Sequence, residues 1–484
     1  MWLAGKHGAI FLLGLVAAAA ACAKHSHPPE GSDPGINPGG GGGGGGGGSD
    51  AGVLVDAGDG GLAASPACGL APTILSGFTP QRILYIASDG SDGNDGLTRA
   101  TAWRSFANAS KLAPGDRVDV FTGTYPCGAV ITTHGDAAHP VWIRSADGPR
   151  KAQLECGSVT YGIEIAHGRY IAIDGFDMRS SQLDLIHIDS GDTPFNDPAD
   201  HVLVLNNHLH DSGAGAIRAT QATNIDIIGN EVNHPEAFGP QLNGDAIDLV
   251  AVSGARVLFN RVYDVVSTTA IGVRGGAFSA LVAGNVISDV QDAIHLGGVT
   301  DRPSFLPADA TFEAVGALAH SNVVFGATGV ALSALGCQNC IFANNSVWST
   351  AAQQGVRALP GAAGAQAASA TSHTSGLVLV NDILAFTSKT PTNLLQMSAD
   401  DQTGFTQSHN LFFLASGTVS SIASDATVGG VGTISDRDPL FTAVTTGDLT
   451  TGAGSPARLA GTPVSGVTFD ATGACRTAWN IGAY

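Results

Sequence analysis

An asparagine followed two places later by an aliphatic or aromatic residue recurs through the middle of this chain, and no other feature limits its fold so tightly. The pattern reads Asn207-His208-Leu209, Asn230-Glu231-Val232, Asn260-Arg261-Val262, Asn285-Val286-Ile287, Asn322-Val323-Val324, Asn345-Ser346-Val347, Asn381-Asp382-Ile383 and Asn410-Leu411-Phe412. Steps between these asparagines are 23, 30, 25, 37, 23, 36 and 29 residues. The shorter steps fit one turn of a three-sided coil of short strands, and the longer ones are that turn plus a loop. Such a coil turns sharply between faces, where Asn tolerates the left-handed conformation better than other non-glycine residues. Stacked at roughly 4.8 Å, successive Asn side chains also hydrogen-bond along a ladder.

The segments between the asparagines alternate as half-buried strands do. Ile163/Ile165, Ile186/Ile188, Ile247/Leu249, Ile271/Val273 and Ile294/Leu296 are assigned to the interior. One rung cannot bury its apolar side alone, so many must stack. An immunoglobulin-like array or a propeller would show longer, more regular periods, and leucine-rich repeats their own Leu spacing. The expectation is an all-β chain, a right-handed single-stranded parallel β-helix (a solenoid). Repeats are placed over 161–415, an N-terminal cap and first rungs over 81–160, and C-terminal rungs with a closing segment over 416–484.

The ends of this region resemble a known family. Tyr85-Ile86-Ala87-Ser88-Asp89-Gly90-Ser91-Asp92-Gly93-Asn94-Asp95-Gly96, Ala102-Trp103-Arg104-Ser105-Phe106, Leu112-Ala113-Pro114-Gly115-Asp116 and Gly123-Thr124-Tyr125 are similar to the entry segment of pectate-lyase-like β-helix proteins. Trp479-Asn480-Ile481-Gly482-Ala483-Tyr484 resembles their common ending. The resemblance implies the fold and a short helix near Trp103–Leu112 capping the open end of the coil. It implies no one reaction, because the family holds lyases, hydrolases, epimerases and proteins without catalysis. The Asp89–Asp95 run is read as a turn before the cap; it lacks the distal Glu of an EF-hand.

Upstream, the chain reads as an address and a spacer. An apolar run from Ala9 to Ala21, too short to span a bilayer, ends at Ala19-Ala20-Ala21-Cys22 and resembles the lipobox of bacterial lipoproteins. That resemblance implies a signal peptide over 1–21, lipidation of Cys22 and export to the outer membrane, with possible exposure at the cell surface. The alternative is an ordinary leader in which Cys22 has no role. Residues 22–80 carry the Gly39–Gly48 run and no hydrophobic period, and are read as a flexible tether. Six further cysteines in an exported chain favour disulfides. Cys127 and Cys156 sit before similar segments on successive rungs, and Cys337 with Cys340 is read as a local bridge. A formal charge of −19 sets the chain against nucleic acid. A monomer touching membrane only through its lipid is expected.

If the interior assignments hold, the residues between them stack outward as Glu164, His187, Arg218, Asp248, Gly272 and His295. A second outward column holds Asp189, Thr220, Val250, Arg274 and Gly297, with Asp245 and Asp292 at the corners where their strands begin. Gly272 would leave a notch for a sugar ring, bordered by Asp248, Arg274 and His295. Elimination on a uronate polymer fits these groups. Arg218 or Arg274 would clamp the substrate carboxylate and His295 or His187 would take the proton. Asp245, Asp292 and Glu164 would bind substrate, and Asp245, Asp248 and Asp292 would hold a Ca²⁺ ion if one is used. Lyases of this kind use Lys or Arg as base, and no Lys occurs between Lys151 and Lys389.

Two other readings stay open. Asn243-Gly244-Asp245-Ala246-Ile247-Asp248 resembles the first acidic motif of polygalacturonase-type hydrolases, whose carboxylates stand roughly 6.5–9.5 Å apart when inverting. Their remaining motifs are missing here. A non-catalytic adhesion or display module would also carry polar outward positions, simply because they meet water. An extracellular polysaccharide is the partner in the enzyme readings, and the display module would bind glycan or another partner.

Overall fold

The computed structural model describes residues 68, 70–157, 159–191, 197–236, 244–301, 304–362, 371–387 and 391–484. The leader, Cys22, the glycine run and Asn243 lie outside the described residues. Short strands wind into a right-handed parallel β-helix with three faces. One turn shows the plan. Thr223–Ile228 lies on the first face, Asn230 turns the corner, Glu231–Asn233 forms the second face and Ile247–Val250 the third. Arg256–Leu258 then returns to the first face and pairs in parallel with Thr223–Ile228. Among the described residues the first face holds twelve strands, from Arg82–Ile86 to Thr406–Ser408.

Alternation explains the core. Ile163, Ile165, Ile186, Ile188, Ile247, Leu249, Ile271, Val273, Ile294 and Leu296 are all fully buried, as the period-two pattern requires. At two turns the second and third faces run together without a corner, in the continuous strands Arg261–Arg274 and Val286–Gly297.

The ladder forms, with its register corrected in one place. Each buried Asn amide donates to the oxygen of the next: Asn207 to Asn230 at 3.0 Å, Asn230 to Asn260 at 3.0 Å, and Asn322 to Asn345 at 2.9 Å. The next position is Asp382 and not Asn381; Asn345 Nδ2 donates to Asp382 Oδ1 at 2.8 Å. The expected reason for Asn also changes. Left-handed backbone belongs to the residue before the ladder position, among them Asn206, Phe259, Ser321, Asn344 and Asn381. The ladder asparagines themselves are kept for their amides, which satisfy buried backbone groups on adjacent turns.

Added chain closes the first end of the coil and straps its side. Phe106–Lys111 caps the first turns as a 3₁₀ segment, tighter than the expected helix. Its start is fixed by Asp92, which accepts from the Arg104 and Ser105 N–H groups at 2.9 Å each. Rungs stop at Ile434–Ser435, the last strand of the coil, so the segment beyond is a return strap and not further turns. It runs back along the ladder corner, where Asn344 Nδ2 donates to Asn480 O at 2.8 Å and Asn381 Nδ2 to Thr462 O at 2.8 Å.

Disulfides join Cys127 to Cys156, Cys337 to Cys340, and Cys68 to Cys475 across 407 residues. The last corrects the tether boundary at residue 80. Leu70 and Ile74 pack on the first face beside Phe469, and Thr73 Oγ1 donates to Asp226 Oδ2 at 2.9 Å. Among the described residues no helix is long and apolar enough to cross a membrane.

Candidate functional site

Parallel register places the outward residues as one column. Glu164 pairs with His187, His187 with Arg218, Arg218 with Asp248, Asp248 with Gly272, and Gly272 with His295. The column continues through Ser333 to Arg357, which the sequence reading did not reach. Counting two further rungs along the same parity was the signal that would have found Arg357.

Two charge clusters form where the column meets the fused faces. In the first, Arg274 grips Asp248 with both arms, Nε to Oδ1 at 3.0 Å and Nη2 to Oδ2 at 2.7 Å. Asp248 is 1% exposed, because Arg274 lies across it. Arg218 stands 3.8 Å from Asp248 Oδ2 and is a third exposed, so it is the cation of this cluster more open to a ligand. Asp245 Oδ2 is 4.0 Å from Arg274 Nε, and Thr268 Oγ1 donates to Asp245 Oδ1 at 3.2 Å. Burial, followed by the charge of Asp248, pushes the Asp245 carboxyl up to about 6, against the pull of His295 and Arg274.

The second cluster is centred on His295. Its Nε2 lies 3.0 Å from Asp292 Oδ2 and 3.2 Å from Arg357 Nη2, and its Nδ1 is 3.2 Å from Thr269 Oγ1. Arg357 Nη2 also donates to Asp292 Oδ2 at 3.1 Å. Burial disfavours the Asp292 carboxylate, but hydrogen bonding and charge from His295, with Arg357, hold its pKa below the ordinary value. With Nε2 turned to Asp292, the nitrogen left to act as a base is Nδ1, which meets only the hydroxyl of Thr269, a group that a substrate can displace.

Several expectations change. The notch at Gly272 is filled: a Cβ there would lie 2.0 Å from Asp245 Oδ2, so the carboxyl of Asp245 occupies the space assigned to a sugar. His187 is withdrawn from the role of base. Its Nδ1 lies 2.9 Å from Asp184 Oδ2, its Nε2 3.3 Å from Asp189 Oδ2, and Tyr161 stacks on the ring at 3.9 Å. Burial works against its charged form, yet the bonds to Asp184 and Asp189 prevail and raise its pKa to about 9. Glu164 stands three positions along the column from Asp248, beside His187 and Tyr161, and does not join either cluster. Val250 keeps its place in the outward column but is buried there, beside Gly275 and Thr300.

The three carboxylates read as Ca²⁺ ligands do not converge. Asp248 gives both oxygens to Arg274, while Asp292 is held by His295, Arg357 and the Val330 N–H. Among the described residues the groups of side chains close enough to hold a cation lie elsewhere, at His134, His167 and Asp197 and at Asp177, His208 and His210.

No protein-family model and no curated protein matches the chain. Among solved structures, that of pectate lyase Pel9A superposes with a TM-score of 0.53 at 13% identity, covering 84% of this chain and 97% of that one. A rhamnogalacturonan lyase gives 0.48 at 12% identity over 68% and 87% of the two chains. XylC in complex with xylose gives 0.47 at 10% identity over 83% and 98%. The likeness to Pel9A bears on the fold, which is the pectate-lyase-like right-handed parallel β-helix expected above.

Proposed function

We propose that this protein is a carbohydrate-active enzyme that cleaves an acidic extracellular polysaccharide by elimination. The observation that carries the reading is the placement of two charge clusters, Asp245–Asp248–Arg274 and Asp292–His295–Arg357, on either side of Gly272, whose space the Asp245 carboxyl fills. A surface that only meets water has no need to bury Asp248 beneath an arginine. In a chain of charge −19, arginines gathered on one strip also offer an anionic sugar a local site.

Each group has a step. Arg357, whose guanidinium lies 3.2 Å from His295 Nε2, neutralises the uronate carboxylate and so acidifies the neighbouring C–H, while Arg218, three rungs away, meets the carboxylate of an adjoining sugar. His295, oriented by Asp292, takes that proton; the electron pair forms the C=C bond and expels the glycosidic oxygen. The Asp245 carboxyl, whose raised pKa keeps it protonated in mild acid, gives its proton to that oxygen. Arg274 holds Asp248 and steadies the notch.

The test is incubation of the purified protein with a panel of uronate polymers, with and without Ca²⁺, read at the absorbance of the unsaturated product. A response lost in His295→Ala supports elimination. A second reading, a glycan-binding module, draws on the pairing of Arg274 with Asp248, which leaves that cation committed. It is favoured if no polymer is cleaved while one is retained on the immobilised protein and released by Arg218→Ala.

The N-terminus supports placement as an outer-membrane lipoprotein anchored through Cys22, with a glycine-rich spacer before the coil. Metabolic labelling with a radioactive fatty acid tests this, because Cys22→Ser removes the acceptor.

A further inference from the structure

Outside the strip, side chains from three successive turns bring ligand atoms to one point at a single corner of the coil. His134 follows the strand Ala129–Ile131, His167 follows Ile163–Ala166, and Asp197 lies in the loop after Ile186–Asp189. His134 Nε2 and His167 Nδ1 are 3.2 Å apart; Asp197 Oδ2 is 3.6 Å from the first and 3.4 Å from the second. Zn²⁺ bonds of about 2.0–2.2 Å in tetrahedral geometry place neighbouring ligand atoms roughly 3.3–3.6 Å apart. The three measured separations are close to the edges of one face of that tetrahedron.

We propose that His134, His167 and Asp197 form a binding site for a divalent cation of the zinc class, with the fourth position open to water. A hydrogen bond accounts for the approach of the two rings, but not for the position of the carboxylate. Asp197 Oδ2 is aimed between the two rings, at separations long for a hydrogen bond to either. The rings stand at 89° to one another, so that they meet at their nitrogens and do not stack. All three side chains are partly exposed, between 31% and 44%, which leaves water a route to the fourth position.

The surroundings hold these ligands in place. Arg169 donates to the other oxygen of Asp197, Oδ1, and so orients the carboxylate, as outer partners of metal ligands do. The backbone of His134 bridges to Arg169, and His167 N donates to Asp189 O at 2.8 Å. Gly191 clears the imidazole: a Cβ there would stand 2.8 Å from His167 Cδ2.

The other cluster lacks this convergence. Asp177 meets His208 through Oδ2 at 2.9 Å and His210 through Oδ1 at 3.4 Å. The far nitrogens of those rings are already bonded, His208 to Asn233 and His210 to Asp211. It is a closed hydrogen-bond network, and it serves as the control.

The test is calorimetric titration of metal-free full-length protein with Zn²⁺, together with the visible spectrum of the Co²⁺ form. His25 and His27 of the N-terminal segment are replaced by Ala throughout, so that they add no binding. One equivalent with a tetrahedral Co²⁺ band is expected, with affinity reduced at least tenfold in Asp197→Asn and His134→Gln and unchanged in His208→Ala. Melting temperatures of metal-free Asp197→Asn and His134→Gln matching the parent separate ligand loss from misfolding, and Zn²⁺ raises the melting temperature of the parent and of His208→Ala more than that of either ligand variant. Absence of binding in the parent, unchanged binding in both ligand variants, or loss on His208→Ala alone overturns the site. None of these readouts involves glycan cleavage, so the outcome is independent of the elimination reading.

Discussion

Asp245 Oδ2 occupies the space of the missing side chain at Gly272, where a Cβ would lie 2.0 Å away. The glycine is therefore the seat of the carboxyl proposed as proton donor. Gly272→Ala is expected to push Asp245 out of the notch and lower turnover roughly a hundredfold, the size of effect that small misplacement of a reacting group produces. Initial rates on a responsive polymer check this, with Asp245→Asn beside it and circular dichroism to confirm the coil. Unchanged turnover in Gly272→Ala would remove Asp245 from the reaction.

Arg274 and Arg218 both approach Asp248, but the consequences of deleting them differ. Arg274 makes two short bonds to a carboxylate that is 1% exposed. Arg274→Ala removes two charge-assisted hydrogen bonds and uncovers the carboxylate to water, at a cost of about 1.5–3 kcal/mol. Arg218 is a third exposed and no closer than 3.8 Å, so Arg218→Ala costs about 0–1 kcal/mol. Denaturant unfolding of the two variants compares them directly, and equal losses would contradict this partition.

The coil was legible because its two periods are written in the chain: alternation inside each strand, and a polar amide once per turn. Register within the outward column followed from the same parity, which put Asp248, Gly272 and His295 side by side. What the sequence hid was set at the corners and by long insertions. Asn381 looked like a ladder residue because Asn serves there elsewhere, yet its backbone takes the left-handed position and Asp382 takes the ladder. Asp184 and Tyr161 enclose His187 from loops of no fixed length. His134, His167 and Asp197 meet for the same reason, across corners that carry no repeat.

His187 makes stability fall in alkali. Its pKa of about 9 in the fold lies above the unfolded value of about 6.5. The folded state therefore holds the proton more tightly, and the stabilisation is complete below about pH 6.5 and lost as pH rises through 9. A difference of that size is a few kcal/mol. His187→Gln is expected to be less stable than the parent at pH 6, with the gap narrowing towards pH 10. Thermal midpoints across that range check it, and a gap that does not narrow would show that the ring is not held charged.

Asp382 acts over a lower window. In the ladder, each Asn presents Oδ1 to the turn before it and Nδ2 to the turn after it and to a strand carbonyl. Asp382 accepts normally through Oδ1 from the Asn345 N–H at 2.7 Å and amide at 2.8 Å. Its Oδ2 stands where an Asn would place its amide nitrogen, is buried, and has no hydrogen-bond partner. An ionised carboxylate there has nothing to accept from, whereas a carboxylic acid supplies one of the two protons that an amide would give. Burial accordingly pushes the pKa up to about 7, against the bonds from Asn345. The unfolded value is about 3.9, so the folded state binds the proton more tightly and stability falls between about pH 4 and pH 7. Asp382→Asn restores the donor and removes the titration. Its advantage over the parent is expected to be small at pH 4 and to reach a few kcal/mol at pH 8, measured by denaturant unfolding. An advantage that does not grow with pH would mean that the ladder carries a charge at this position after all.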